Sequence, residues 1–161
     1  MSRFNGTRLS PRALLAAFAC GMAVFLALDA LWLLAMGARL YRPAIGHLMR
    51  DGFDPVAALA FYLVYLAGVV GFAVVPAKRV SWAALRGAFF GLVAYATYDL
   101  TNQATLKDWP WLVTLADLAW GTFVTATASG LASLVHLALT RQTHLHPYPA
   151  RDKRRDPALE K

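Results

Sequence analysis

Twenty consecutive residues without a charge, Val56 to Val75, constrain this chain more than any other stretch. An apolar run of that length reads as a helix crossing a bilayer, because hydrocarbon offers the backbone no hydrogen-bond partner and a helix satisfies its own N–H and C=O groups. The sequence frames it accordingly. Asp54-Pro55 supplies an N-cap and a proline at the first helical position, and Pro76, Lys78 and Arg79 close it in a tight turn.

Three further runs match it. Ala13 to Met36 follows Ser10-Pro11 and holds a single charge, Asp29; it spans roughly 36 Å against a hydrocarbon core of about 30 Å. The basic segment before it also suits a signal peptide, but the run is longer than an h-region and contains an Asp, so it is expected to remain. A third helix over 81–106, capped by Ser81, carries Trp82 and Arg86 at its edge and Asp99 within. A fourth over 110–139 contains Asp117 and His136, and is long enough to tilt or project. Lys107-Asp108-Trp109-Pro110 is short enough to be a hairpin turn only, which makes helices three and four antiparallel neighbours. Residues 37–54, with Gly37, Pro43, Gly46 and Gly52, read as a connection.

The predicted fold class is an all-α membrane protein, four transmembrane helices about 13–36, 55–76, 81–106 and 110–139 in an antiparallel up-down bundle. The hydrophobic share of 58% agrees. With one cysteine, Cys20, the chain has no disulfide framework or CxxC motif. The net charge of +7 belongs to topology rather than to a nucleic-acid-binding face. Of 16 Lys and Arg, all but Arg39, Arg42, Arg50 and Lys107 fall on the side of the termini, which places both termini in the cytoplasm. Residues 1–12 form a cytoplasmic N-terminal segment and 140–161 a disordered basic tail. There Lys153, Arg154 and Arg155 are suited to anionic lipid heads, and His144 and His146 to solvent.

Charges inside these runs are costly and therefore point to function. Asp29 lies seven residues before Met36, Asp99 seven before Leu106, Asp117 seven after Pro110, and Tyr62 seven after Pro55. Counting 1.5 Å per residue sets all four about 10 Å below one surface, in a single layer drawn from four helices. Asp29, Asp99 and Asp117 are the expected acid/base or cation-holding groups. Trp32, Tyr62, Tyr65, Tyr95, Tyr98, Asn102 and Trp120 are the expected ligand-binding walls and hydrogen-bond donors. No Lys or Arg lies at that depth, so at least one carboxyl is expected to hold a proton, or a divalent cation to sit among the three. Tyr41 and His47, in the connection, would fold over the opening. Gly87 and Gly91 form a GxxxG pair for close helix packing, and Asp29/Trp32 and Asp117/Trp120 share a D-x-x-W spacing on antiparallel helices.

Tyr98-Asp99-Leu100-Thr101-Asn102, Ala104-Thr105-Leu106-Lys107, Trp109-Pro110 and Asp117-x-x-Trp120-Gly121, preceded by Asp29-x-x-Trp32-Leu33, resemble a bacterial family of small four-helix integral membrane proteins of unknown function. The resemblance implies four spans and a bacterial inner-membrane location, and no particular activity.

The chemistry leaves three readings. The aspartates could form a pocket near the outer leaflet that binds or modifies a lipid-like or amphipathic molecule, by acid/base work or through a cation. They could be interhelical hydrogen-bonding glue in a structural or assembly protein. They could serve proton- or cation-coupled transport, for which four spans would need a homo-oligomer. The expected partners are membrane lipids, with nucleic acid excluded. Three acids at one depth exceed what packing needs, which favours the first reading.

Overall fold

The computed structural model describes residues 10–145, and they fold into helices joined by short turns, with no strand among them. The first helix, Pro11–Met36, starts with proline at its first turn. The second, Pro55–Val69, is capped by Asp54, whose Oδ1 accepts from the Val56 and Ala57 amides at 3.0 and 3.2 Å. It continues through a π-helical turn, Val70–Val74. The third is Val80–Thr105 and the fourth Trp111–Leu145, 35 residues long. Each of the four is long and apolar enough to cross a bilayer. The tail beyond Leu145 and the N-terminal segment before Ser10 lie outside the described residues.

Three details depart from the sequence reading, the first being that the fourth helix runs on to Leu145, so that residues 140–145, read as the start of a disordered tail, are helical. The third helix starts at Val80, with Arg79 in an extended conformation at its N-cap, so Ser81 is not the cap. The stretch read as a connection stays helical to Leu48: a π turn over Gly37–Tyr41, one α turn over Arg42–Ile45 and a 3-10 turn over Gly46–Leu48. Glycine and proline end helices in water. Here π, α and 3-10 bonds in succession satisfy the backbone through the glycines and the proline.

The fourth helix is the hub, packing along the third for most of its length and against the first. Its contact face is small. A methyl group added at Gly91 would meet the Gly121 carbonyl and the Thr125 side chain, and one at Gly87 would meet Ser129 and the Thr125 carbonyl. These glycines let two backbones approach, the role expected of the GxxxG pair. The turn between the two helices is fastened by side chains. Trp109 Nε1 donates to Thr114 Oγ1 (3.0 Å), Thr114 donates to Gln103 Oε1 (3.1 Å), and Gln103 Nε2 donates to the Trp109 carbonyl (2.9 Å). Asp108 takes a left-handed φ of 60°, which Asp tolerates better than most residues. Phe25, Leu66, Val69, Val74 and Val124 fill the core where the four helices meet.

Candidate functional site

The polar residues of the bundle form two groups rather than one layer. The first is built around Asp99 and Asp117, on the facing sides of the third and fourth helices. Asp99 is fully buried, and neither of its oxygens receives a hydrogen bond from an N–H or hydroxyl among the described residues. The group that it faces is the carboxyl of Asp117.

Tyr41 joins this pair from the first helix. The π turn places one extra residue in the helical ladder, which rotates the residues beyond it by about 100° relative to a straight helix and turns Tyr41 toward the fourth helix. Its hydroxyl donates to Asp117 Oδ1 and accepts from Trp32 Nε1 at 2.7 Å. Trp32 in turn lies flat on Trp120, with ring centroids 4.5 Å apart and planes 8° from parallel. The two D-x-x-W segments therefore meet through their tryptophans. The Trp120 indole N–H is buried and has no hydrogen-bond partner among the described residues.

The second group surrounds Asp29. Tyr62 donates to Asp29 Oδ2 at 2.7 Å. Tyr65, one turn along the second helix, is hydrogen-bonded to Thr125 Oγ1 at 2.6 Å. Thr125 also donates to the Gly121 carbonyl (2.6 Å), and Tyr95 packs its ring over Gly121 and edge-on to Tyr65. Because Thr125 is two turns beyond Asp117, Tyr62 and Asp29 lie about 7 Å deeper than the carboxyl pair. Equal counts from the helix ends therefore do not bring all four groups together: the first helix does not stop at Met36, and the second, which starts at Pro55 as expected, brings Tyr62 to Asp29 rather than to the carboxyl pair.

The expected donors divide likewise. Tyr62 holds Asp29, Trp32 reaches Asp117 through Tyr41, and Tyr65 is spent on Thr125 rather than on an aspartate. Tyr98 is 62% exposed and packs edge-on against Trp109. With Asn102 it lines a pocket of about 360 Å³ at the hairpin end, together with Leu48, Met49 and Arg50. His47 is exposed, so of the two residues expected to cover the site only Tyr41 reaches an aspartate. Gln103, absent from the sequence reading, fastens the hairpin; its position four residues after Asp99, on the same face, was the available signal.

The three membrane aspartates have no counter-charge among the described residues, where the one ion pair, Arg50–Asp54 at 3.5 Å, is exposed. No three His, Cys, Asp or Glu side chains among the described residues come close enough to hold a metal ion. A cation held by all three aspartates therefore does not fit, and what the geometry offers is a two-carboxyl site. The hydroxyls of Thr97, Thr101 and Thr105 donate to carbonyls four residues back and are occupied.

The model of a family described as a predicted membrane protein, DUF2177, matches residues 14–134. The chain belongs to this family. The part of this DUF2177 protein that is matched runs from the first helix to Leu134 of the fourth and includes both polar groups, the Tyr41 turn and the tryptophan stack. No curated protein and no solved structure matches the chain. The four apolar helices of the structure agree with the family's description.

Proposed function

We propose that this membrane protein binds an amphipathic, lipid-like small molecule whose polar head exchanges a proton with the Asp99–Asp117 pair. The observation that carries the reading is Asp99 itself: a fully buried carboxyl that no N–H or hydroxyl among the described residues reaches, set against a second carboxyl. Two carboxylates that face each other out of water repel and lose hydration, so a pair of this kind holds one proton between its two groups. Such a pair donates from one carboxyl and accepts at the other, which suits a hydroxyl or amine head. Tyr41 covers Asp117 and is displaced by, or bonds to, the incoming head. The pocket lined by Tyr98 and Asn102 is the approach, since Asn102 stands one turn from Asp99 on the same helix. Its lining is mostly apolar, as tail-binding sites are.

Asp29 belongs to a different role. Its hydrogen bond to Tyr62 joins the first and second helices, and this is the interhelical glue of the second reading confined to one residue.

Photolabelling tests the binding site. The protein is reconstituted in phosphatidylcholine vesicles containing a diazirine-bearing diacylglycerol, irradiated, and mapped by peptide mass spectrometry. Label is expected to concentrate on residues 48–52 and 98–102 and to fall about tenfold in Asp117→Asn and Asn102→Leu, with the helical circular dichroism unchanged. Label spread evenly over the lipid-facing surface, or unaffected by both substitutions, would overturn the proposal.

A further inference from the structure

The opposite end of the bundle, where the turn Pro76–Arg79 joins the second and third helices, presents cations that the carboxyl pair does not use. Lys78, Arg79 and Arg86 are exposed, and with Pro76, Ala77 and Trp82 they line a cleft of about 500 Å³. Arg86 lies six residues into a helix that starts at Val80, about 9 Å along its axis. A guanidinium on the lipid-facing side at that depth is costly unless it reaches the interface or a counter-charge. Among the described residues no carboxylate supplies one, the sole ion pair being Arg50–Asp54 beside the other end.

Arg86 also belongs to the wall of a second cavity. An apolar groove of about 470 Å³ runs on from it between the second and third helices, lined by Phe72, Phe89, Phe90, Leu85 and Val93. Phe72 and Phe90 stack across the two helices, with centroids 6.1 Å apart and planes 19° from parallel, and form its floor. A basic cleft and an apolar groove thus share one residue. Each matches one half of the same kind of molecule.

We propose that this face is a binding site for one anionic phospholipid. Its phosphate lies on Lys78, Arg79 and Arg86, and an acyl chain lies along Phe72, Phe89 and Val93. A guanidinium meets phosphate oxygens in a bidentate fork, which a zwitterionic lipid, with its own ammonium beside the phosphate, satisfies less well. Trp82, exposed beside these cations, would set its indole in the headgroup region. A free phosphate ion would use the cleft alone and leave the groove empty; the continuity through Arg86 selects the lipid. The site is at the other end from the Asp99–Asp117 pair and stands or falls independently of it.

The test is native mass spectrometry of the protein released from vesicles made of equal parts phosphatidylglycerol and phosphatidylcholine. The wild type is expected to retain phosphatidylglycerol about tenfold over phosphatidylcholine. Arg86→Gln and the turn variant Lys78→Gln/Arg79→Gln are each expected to cut that preference about fivefold or more, at roughly 1 kcal/mol per basic residue near an anionic surface. Arg86→Lys is expected to keep part of it. Dihexanoyl phosphatidylglycerol, with the same head and short chains, is expected to be retained less than the long-chain lipid, and inorganic phosphate to displace neither. Equal retention of the two lipids, or an undiminished preference in both the Arg86→Gln and the turn variants, would refute the site. Displacement by inorganic phosphate alone would show an anion cleft with no lipid specificity and refute the proposal as well.

Discussion

Replacing Asp99 with asparagine is expected to raise the thermal unfolding temperature of the detergent-solubilised protein while weakening its labelling by the diazirine-bearing diacylglycerol. In the native protein, Asp99 is buried, faces a second carboxyl and receives no hydrogen bond. Leaving a buried polar group unsatisfied costs about 1–3 kcal/mol, more when it is charged. Asparagine keeps the shape and supplies a permanent N–H that donates to Asp117, where a carboxyl can donate only while it holds the shared proton. A gain of about 1–3 kcal/mol corresponds to roughly 2–12 °C for a chain of this size. Asp29→Ala should do the reverse, because its partner Tyr62 loses its acceptor; hydrogen bonds between transmembrane helices are worth about 0.6 kcal/mol on average and about 1.7 at most. Unfolding followed by tryptophan fluorescence reads both. If Asp99→Asn lowers stability as Asp29→Ala does, the carboxyl pair is structural glue and the proposed role for it is wrong.

Gly91→Ala is expected to destabilise the bundle by about 3 kcal/mol, the upper end of ordinary overpacking, because the added methyl meets a backbone carbonyl that cannot rotate away. The damage would spread. The methyl also meets Thr125, which holds the Tyr65 hydroxyl, so the contact between the third and fourth helices and the attachment of the second are disturbed together. Gly71→Ala is the matched control: a methyl there meets nothing within 4 Å, and its effect should stay within about 0.5 kcal/mol. The comparison is made by size-exclusion profile and thermal unfolding in one detergent. Equal tolerance at the two positions would mean that the helices do not approach as closely as their glycines allow.

The four helices were legible because hydropathy and length are the whole of the constraint in hydrocarbon, and Val56 to Val75 shows it without interruption. The Asp54 cap and the short hairpin at Lys107–Pro110 were legible for local reasons: an acceptor ahead of a proline, and too few residues for anything but a turn. What the sequence concealed came from one place. Gly37, Pro43 and Gly46 carry the signature of a loop, and that signature assumes water as the alternative hydrogen-bond partner. The chain instead remains helical through a π turn, which carries Tyr41 to Asp117. The neighbourhood of the carboxyls was readable to within a helical turn or two. The division of three acids into a bare pair and a hydrogen-bonded single was not, because it depends on which tyrosine reaches which oxygen.

The stack of Trp32 on Trp120 has a consequence for observing the molecule. Two indoles 4.5 Å apart couple their electronic transitions, and where their in-plane axes are turned relative to each other the coupled transitions split into bands of opposite sign in far-ultraviolet circular dichroism. The protein therefore carries a built-in optical ruler between its first and fourth helices, with no label attached. The couplet should vanish in Trp120→Phe with the helical signal retained. Any event that draws Tyr41 away from Asp117 also pulls on Trp32, its hydrogen-bond donor, and would be visible in that couplet as it happens.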